Sequence, residues 1–296
     1  GLAPAAVVAV AVLVMGGGFV RLAGARLQRE QRFLGSTFVS ESANYTWFAA
    51  AVLVWLAGWQ AYETPALLVC VAQILLVALG WPRFLAVTTT EVNARMPWVG
   101  MLLLAGTNAA SLVMLQLERL AIPMFLELEA LAQFAVLAIF AMAPFRPLEF
   151  SIYRTLLSRL GHASSVDERR RLVVQELRHA AVMLLGMAVL IVLAMPAVVS
   201  YLFSGKYDIA WSLALPAVVG AQLRVLRSLV SAAVAALASH RELAIWNVWA
   251  WISVVLMLLA GWAGSAHGLV GFLWGVNAGA ALNIAVTAPI MLRRLS

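Results

Sequence analysis

Apolar residues run along this chain in long continuous blocks. They do not alternate. Blocks of about 20 residues, the length a helix needs to cross a hydrocarbon core of about 30 Å, occur at 2–20, 43–62, 64–81, 98–117, 124–145, 180–203, 209–238, 243–263 and 267–291. The pattern predicts nine membrane-spanning helices and an all-α, polytopic bundle. The second block is the weakest, because Glu41, Ser42 and Asn44 crowd its start. Strands of a membrane β-barrel would alternate apolar and polar over about ten residues, and these blocks do not.

Between 146 and 179 the pattern changes. Leu148, Ile152, Leu156 and Leu160 recur at helical spacing, with Arg154 and Arg159 off that stripe, which predicts an amphipathic helix lying along the membrane surface. Ser165 and Glu168 have the spacing of a capping box, so a further helix is expected to begin there and run through Arg171 into the next span. In the last block Gly271, Gly275 and Gly279 repeat every four residues, a rhythm that lets helix backbones approach closely. Pro123, Pro144, Pro147, Pro196 and Pro216 fall in or at the ends of spans, where neighbouring groups can satisfy the backbone that proline frees.

Composition agrees with this pattern. Hydrophobic residues make up 64% of the chain and charged residues 11%, and the mean hydropathy is +0.95, far from the quarter or so of charged residues usual in soluble domains. The formal charge of +7 does not indicate nucleic acid, because the basic residues sit in short connections between spans, where anionic headgroups and topology account for them. Cys70 is the single cysteine and lies in a span, which excludes intrachain disulfides and cysteine-based metal sites.

The arginines orient the chain. Arg21, Arg26, Arg29 and Arg32 follow the first span, Arg83 and Arg95 the third, and Arg146, Arg154, Arg159, Arg169, Arg170, Arg171 and Arg178 the fifth; Arg241 follows the seventh, and Arg293 and Arg294 close the chain. These are 16 of the 20 basic residues, all in alternate connections. Arg119 and Lys206 lie in the opposite set, beside Glu63, Glu118, Glu127, Glu129 and Asp208. Loops rich in Lys and Arg stay in the cytoplasm, so the first residue is expected outside and the last inside. An outside start two residues before an apolar run, with the charges after it rather than before, is not the pattern of a cleavable signal. The expectation is an internal span, preceded by an odd number of further helices if the intact amino terminus lies in the cytoplasm.

Two basic residues remain, and they are the most informative in the sequence. Arg224 and Arg227 lie near the middle of the 209–238 block. A cation at that depth costs roughly 2.5 kcal/mol or more, so it must face a wet cavity, a partner or an anionic ligand. Steps of three and four residues place Gly220, Arg224, Arg227, Ser228 and Ser231 within an arc of about 100°. The alternative role for the two arginines is a structural pair with carbonyls or with a carboxylate on another helix. A carboxylate within about 4 Å of either would favour that role.

The fourth span carries a second polar face, with Asn108, Ser111, Gln116, Glu118 and Arg119 in an arc of about 160°. Its plainer role is hydrogen bonding between helices. Glu118, Glu127 and Glu129 form the densest acidic group; they could bind a cation or pair with Arg119, and the plainer reading is solvated carboxylates at the outer rim. His162, His179, His240 and His267 are scattered without metal-ligand spacing, and no phosphate loop or nucleophile motif is present. The expectation is a protein that is not an enzyme and carries neither metal nor cofactor.

The order of these features resembles the polysaccharide flippases of the multidrug/oligosaccharidyl-lipid/polysaccharide exporter superfamily, a group that includes O-antigen transporters. The likeness is carried by Glu118-Arg119 at the end of a span, then LEALAQFAVLAIFAMAPF, the amphipathic RTLLSRLG, the turn SYLFSGKYDIAW and the polar turn ASHREL. The resemblance implies two bundles of about six helices around a central cavity. Residues 98–296 would form the complete second bundle, 1–81 the last three helices of the first, and 82–97, between Trp81 and Trp98, the cytoplasmic connection. It further implies a monomer in a bacterial cytoplasmic membrane that moves an undecaprenyl-diphosphate-linked oligosaccharide to the outer leaflet. Membrane lipids and other polysaccharide-assembly membrane proteins would be its neighbours. Arg224, Arg227, Asn108, Ser111, Glu118 and Arg119 are the candidate substrate-binding residues. The alternatives are a cation-coupled drug exporter of the same superfamily, which needs an acidic site deep among its helices, and a membrane glycan polymerase or ligase, which needs a large outer loop.

Overall fold

A computed structural model describes residues 98–205 and 209–296 in full, and from the first 97 residues only scattered positions between Gly16 and Ala78. The chain divides into two units, Gly1–Arg95 and Met96–Ser296. In the first, the described positions are helical apart from a turn at Ala57 and Gly58, and Val69 and Cys70 are buried. The expected spans 2–20, 43–62 and 64–81, taken whole, and the connection 82–97 lie outside the described residues.

The second unit is helical throughout, with no strand among the described residues. Its elements are α1 (Trp98–Phe125), α2 (Leu128–Leu137), a π turn (Ala138–Met142), a 3-10 turn (Ala143–Phe145), α3 (Arg146–His162), α4 (Val166–Leu202), α5 (Trp211–Leu237), α6 (His240–Gly264), a 3-10 turn (Ser265–His267) and α7 (Gly268–Arg293). They form five continuous helical stretches long and apolar enough to cross a membrane, of which the last, His240–Arg293, includes both α6 and α7. Apolar side chains cover the outside. On α4, Val182, Leu185, Val189, Leu190 and Leu193 are all exposed, a larger apolar surface than water tolerates. The protein is therefore embedded in a membrane and crosses it several times.

Local chemistry sets the boundaries. Ser165 caps α4 by accepting the Glu168 N–H, 3.2 Å, as the capping spacing predicts. The Glu168 carboxylate turns instead to Ser164, accepting from its backbone N–H at 2.9 Å and its hydroxyl at 3.2 Å. Ser239 and Glu242 form a complete capping box at the start of α6. At the π turn, Pro144 has no N–H to return to the preceding turn. The helix widens before it, with the Ala143 N–H reaching back to the Ala138 carbonyl, and tightens after it, with Arg146 donating to the Ala143 carbonyl. Helical continuity is kept from Leu128 to His162.

Two expectations fail here. The charged pair Glu118-Arg119 does not end its span, since α1 continues to Phe125 and buries Glu118. A charge read as a boundary marker is instead neutralised inside the protein, so of the three acidic residues assigned to the rim only Glu127 and Glu129 are exposed. The stripe on α3 does not face a membrane surface either. Ile152, Leu156 and Leu160 are buried in the protein core, and α3 packs along α5. Periodicity identifies an apolar face but not what covers it.

α5 is the centre of the unit. It packs against α3 and α7, with α4 and the π turn on further sides, and far more of its apolar stretch is buried than that of α4. Its small residues, with Ala214, Ala217, Ala221, Ala232 and Ala233 all buried, let neighbours approach on every side. α6 and α7 form an antiparallel hairpin about Gly268, whose φ of +69° suits glycine. Gly264 meets Gly271, Gly275 meets Ala260, and Gly279 meets Met257, then Asn283 meets Ser253 and Arg294 meets Glu242. The expected glycine rhythm is thus a packing seam, where a Cβ on Gly279 would stand 2.8 Å from the Met257 Cα. α1 runs parallel to α6, since Gly100 faces His240 and Leu103 and Gly106 face Asn247.

Candidate functional site

The two arginines of α5 point into the protein. Arg224 donates from Nη2 to Glu118 Oε1 on α1, a short ion pair in which the side chains are 14% and 5% exposed. Arg227, one turn further along, donates from Nη1 to the Met114 thioether sulfur at 2.7 Å. Met114 and Glu118 are themselves one turn apart on α1, so the contacts descend one helix as they ascend the other. Both arginines thus reach the fourth predicted span rather than lipid. Arg224 also has the nearby carboxylate that favours a structural pair. Arg227 has none within ion-pair distance among the described residues, and a thioether is a weak acceptor for a guanidinium with five N–H donors.

These side chains cross a gap. α1 packs along α6, and α5 along α3 and α7, whereas α1 and α5 meet chiefly through the long side chains just named. The space between them is a cavity of about 10 Å³ lined by Met114, Glu118, Gly220, Leu223, Arg224, Arg227, Met257, Val276, Asn277 and Ala280. That is room for about one water. In this state the bundle is closed around its charges.

More charge gathers nearby. Arg146, at the start of α3, lies within electrostatic reach of Arg119, Arg224 and Glu149, and Arg227 within reach of Glu149, Glu118 and Arg224. Among the described residues these are four arginines against two glutamates, and with the exposed Arg119 set aside the enclosed part carries one excess positive charge. Two buried atoms of this group, Glu118 Oε2 and Arg146 Nε, have no hydrogen-bond partner among the described residues. A group so placed in a low-dielectric interior is costly unless something else completes it.

The remaining candidates separate. On α1 the buried stripe is Thr107, Ala110, Met114, Leu117, Glu118 and Ala121. Asn108 and Arg119 are exposed and Ser111 half-buried, and none of the three forms a side-chain hydrogen bond with a described residue. An arc of 160° is wider than one neighbouring helix can cover, so only part of the expected polar face enters the site. On α5, Ser228 turns towards α3 and donates to the Glu149 and Val225 carbonyls, at 3.1 and 3.0 Å.

Two asparagines that the sequence reading did not single out hold the frame around the arginines. Asn277 of α7 sits over Gly220 and donates to the Pro216 carbonyl, 2.7 Å. Asn247 of α6 sits over Gly106 and donates to the Leu103 carbonyl at 2.8 Å and to Thr107 at 3.3 Å. In each case a glycine opens a seat on one helix and an amide on the next fills it. An asparagine within an apolar block, paired with a glycine in another, was the available signal.

No family model matches the chain, and no curated protein or solved structure does so either.

Proposed function

We propose that this chain belongs to a flippase that moves a lipid-linked oligosaccharide across a bacterial cytoplasmic membrane for cell-surface polysaccharide synthesis. On this reading residues 98–296 are one six-helix bundle of a two-bundle, nine-helix arrangement, and α5 carries the groups that hold the diphosphate of the lipid carrier. The observation that carries the proposal is Arg227, an arginine in the middle of a membrane helix, turned inward and with no carboxylate within ion-pair distance among the described residues. An intramembrane cation that the protein does not neutralise is a site for an anion. Guanidinium groups offer planar, multi-donor recognition to phosphate oxygens. The excess positive charge among the described residues supports the same conclusion.

Transport would proceed by opening α1 away from α5, because the closed cavity accommodates about one water. That opening lies within one bundle, and exposure of the site to either side of the membrane would come from rocking this bundle against the other, with 82–97 as the tether. The observation favouring a cation-coupled drug exporter is the burial of Glu118, yet that carboxylate is already engaged by Arg224. The reading is tested by glycan export in cells whose only flippase contains this chain. Arg227→Ala should reduce export at least tenfold while the protein still inserts in the membrane. Export at the parental rate would end the assignment.

A further inference from the structure

Glu118 is only half used by its partner. Oε1 accepts from Arg224, whereas Oε2 is buried without a partner among the described residues, and the residue as a whole is 4% exposed. It stands over a cluster that remains positively charged, on a helix that meets α5 chiefly through side chains. Carboxylate and phosphate present similar oxygen geometry to an arginine fork.

Resting on the reading that Arg224 and Arg227 hold a diphosphate, we infer that Glu118 is an internal competitor for that anion. In the closed bundle its carboxylate occupies the Arg224 guanidinium, and a phosphate group takes its place when α1 separates from α5. The exchange favours the incoming group, because a diphosphate carries more negative charge than one carboxylate and reaches Arg227 as well. Met114 yields Arg227 readily, since a thioether holds a guanidinium weakly. The arrangement keeps two midplane arginines from standing unneutralised between transport cycles. It also sets a threshold, because an anion must outbid Glu118 and a singly charged headgroup does so poorly.

The test is a titration of the full chain in detergent with three probes: inorganic pyrophosphate, a polyprenyl diphosphate and phosphatidylglycerol. Parent protein is compared with Glu118→Gln, Glu118→Ala, Arg224→Ala, Arg227→Ala and the double variant Glu118→Gln/Arg224→Ala. Helix content is checked by circular dichroism. Both Glu118 variants should bind pyrophosphate and polyprenyl diphosphate about tenfold tighter than the parent, and phosphatidylglycerol should gain a measurable affinity. Arg224→Ala and Arg227→Ala should each bind at least tenfold weaker. In the double variant the gain from Glu118→Gln should vanish, a coupling that a merely structural role would not produce. If Arg224→Ala weakens binding while both folded Glu118 variants bind no tighter, the competitor role is overturned and the arginine site stands. If neither arginine substitution alters binding of either diphosphate, the site itself is wrong and both conclusions fall. A gain confined to pyrophosphate would support competition and overturn the lipid-borne ligand.

Discussion

Arg227 on α5 gives its side-chain hydrogen bond to the sulfur of Met114 on α1, at 2.7 Å. A guanidinium is thereby placed against one of the weakest acceptors a protein offers, one turn from an arginine that has a carboxylate. The asymmetry separates two roles on one helix face. Arg224 joins α1 to α5 in the closed state, and Arg227 meets no carboxylate within ion-pair distance among the described residues.

Substitution should expose that division. Arg227→Lys keeps the charge and loses the fork, so if phosphate is gripped by two parallel N–H groups it should restore little of the export lost in Arg227→Ala. Met114→Leu removes the sulfur at similar volume and should leave export within about twofold, since such swaps usually cost less than about 1.5 kcal/mol. Rates of glycan appearance in the outer leaflet measure both. Equal export by Arg227→Lys and the parent would show that a point charge suffices.

The α6–α7 seam should be intolerant of bulk. A Cβ on Gly275 would collide with the Ala260 carbonyl, which is backbone and cannot rotate away. Gly275→Val should destabilise by about 1–3 kcal/mol or more, the usual range for overpacking a filled interface. Gly161 has nothing within 4 Å of an added Cβ, and Gly161→Ala should leave the unfolding temperature in detergent nearly unchanged. A similar loss at both positions would mean that the seam is not the tightest contact.

At the open end of the same hairpin, where Glu242 precedes the apolar block 243–263 and Arg294 follows the block 267–291, Arg294 Nε donates to both Glu242 oxygens, at 3.2 and 3.0 Å. Those bonds, followed by the Ser239 N–H, pull the Glu242 carboxyl from its ordinary 4.5 down to about 2. The group is depressed in the folded state, so its stabilisation is complete above about pH 4.5 and is lost as the pH falls towards 2. Unfolding temperature measured between pH 6 and pH 3 should decline with a component that Glu242→Gln removes. The effect will be small, because the pair is partly exposed.

The structure groups Gly100 with His240 and Glu242 with Arg294 at one end of the helices. Cysteines introduced at Arg170, Arg241 and Arg293 in a Cys70→Ala background should therefore share one accessibility. On the positive-inside rule that side is expected to be the cytoplasm. Membrane-impermeant maleimide should label them only after the cells are opened. Labelling of Arg170→Cys in intact cells would invert the topology.

Much of this was legible in the sequence. Ser165 announced α4 because capping is local, and Gly271, Gly275 and Gly279 announced a seam because only close approach requires such a repeat. Arg224 and Arg227 were expected to turn from lipid towards a cavity, a partner or a ligand, since lipid solvates neither. What escaped was set by partners distant in the chain. Glu118 looked like the end of a span until Arg224, 106 positions later, made it a buried ion. The α3 stripe could have covered lipid or protein equally well, and α5 decided between them. Asn247 and Asn277 carried no sign of their roles without the glycines opposite.

The ion pair between α1 and α5 also bears on how the protein is made. α5 carries two arginines to mid-membrane, and roughly 2.5–3.5 kcal/mol for each counts against its entering the bilayer alone. Synthesis runs from the amino end, so α1 reaches the membrane first and brings Glu118 with it. The acceptor is waiting before its donor emerges from the ribosome. For Arg224, an earlier segment thus supplies the counter-charge that lowers the cost of inserting a later one.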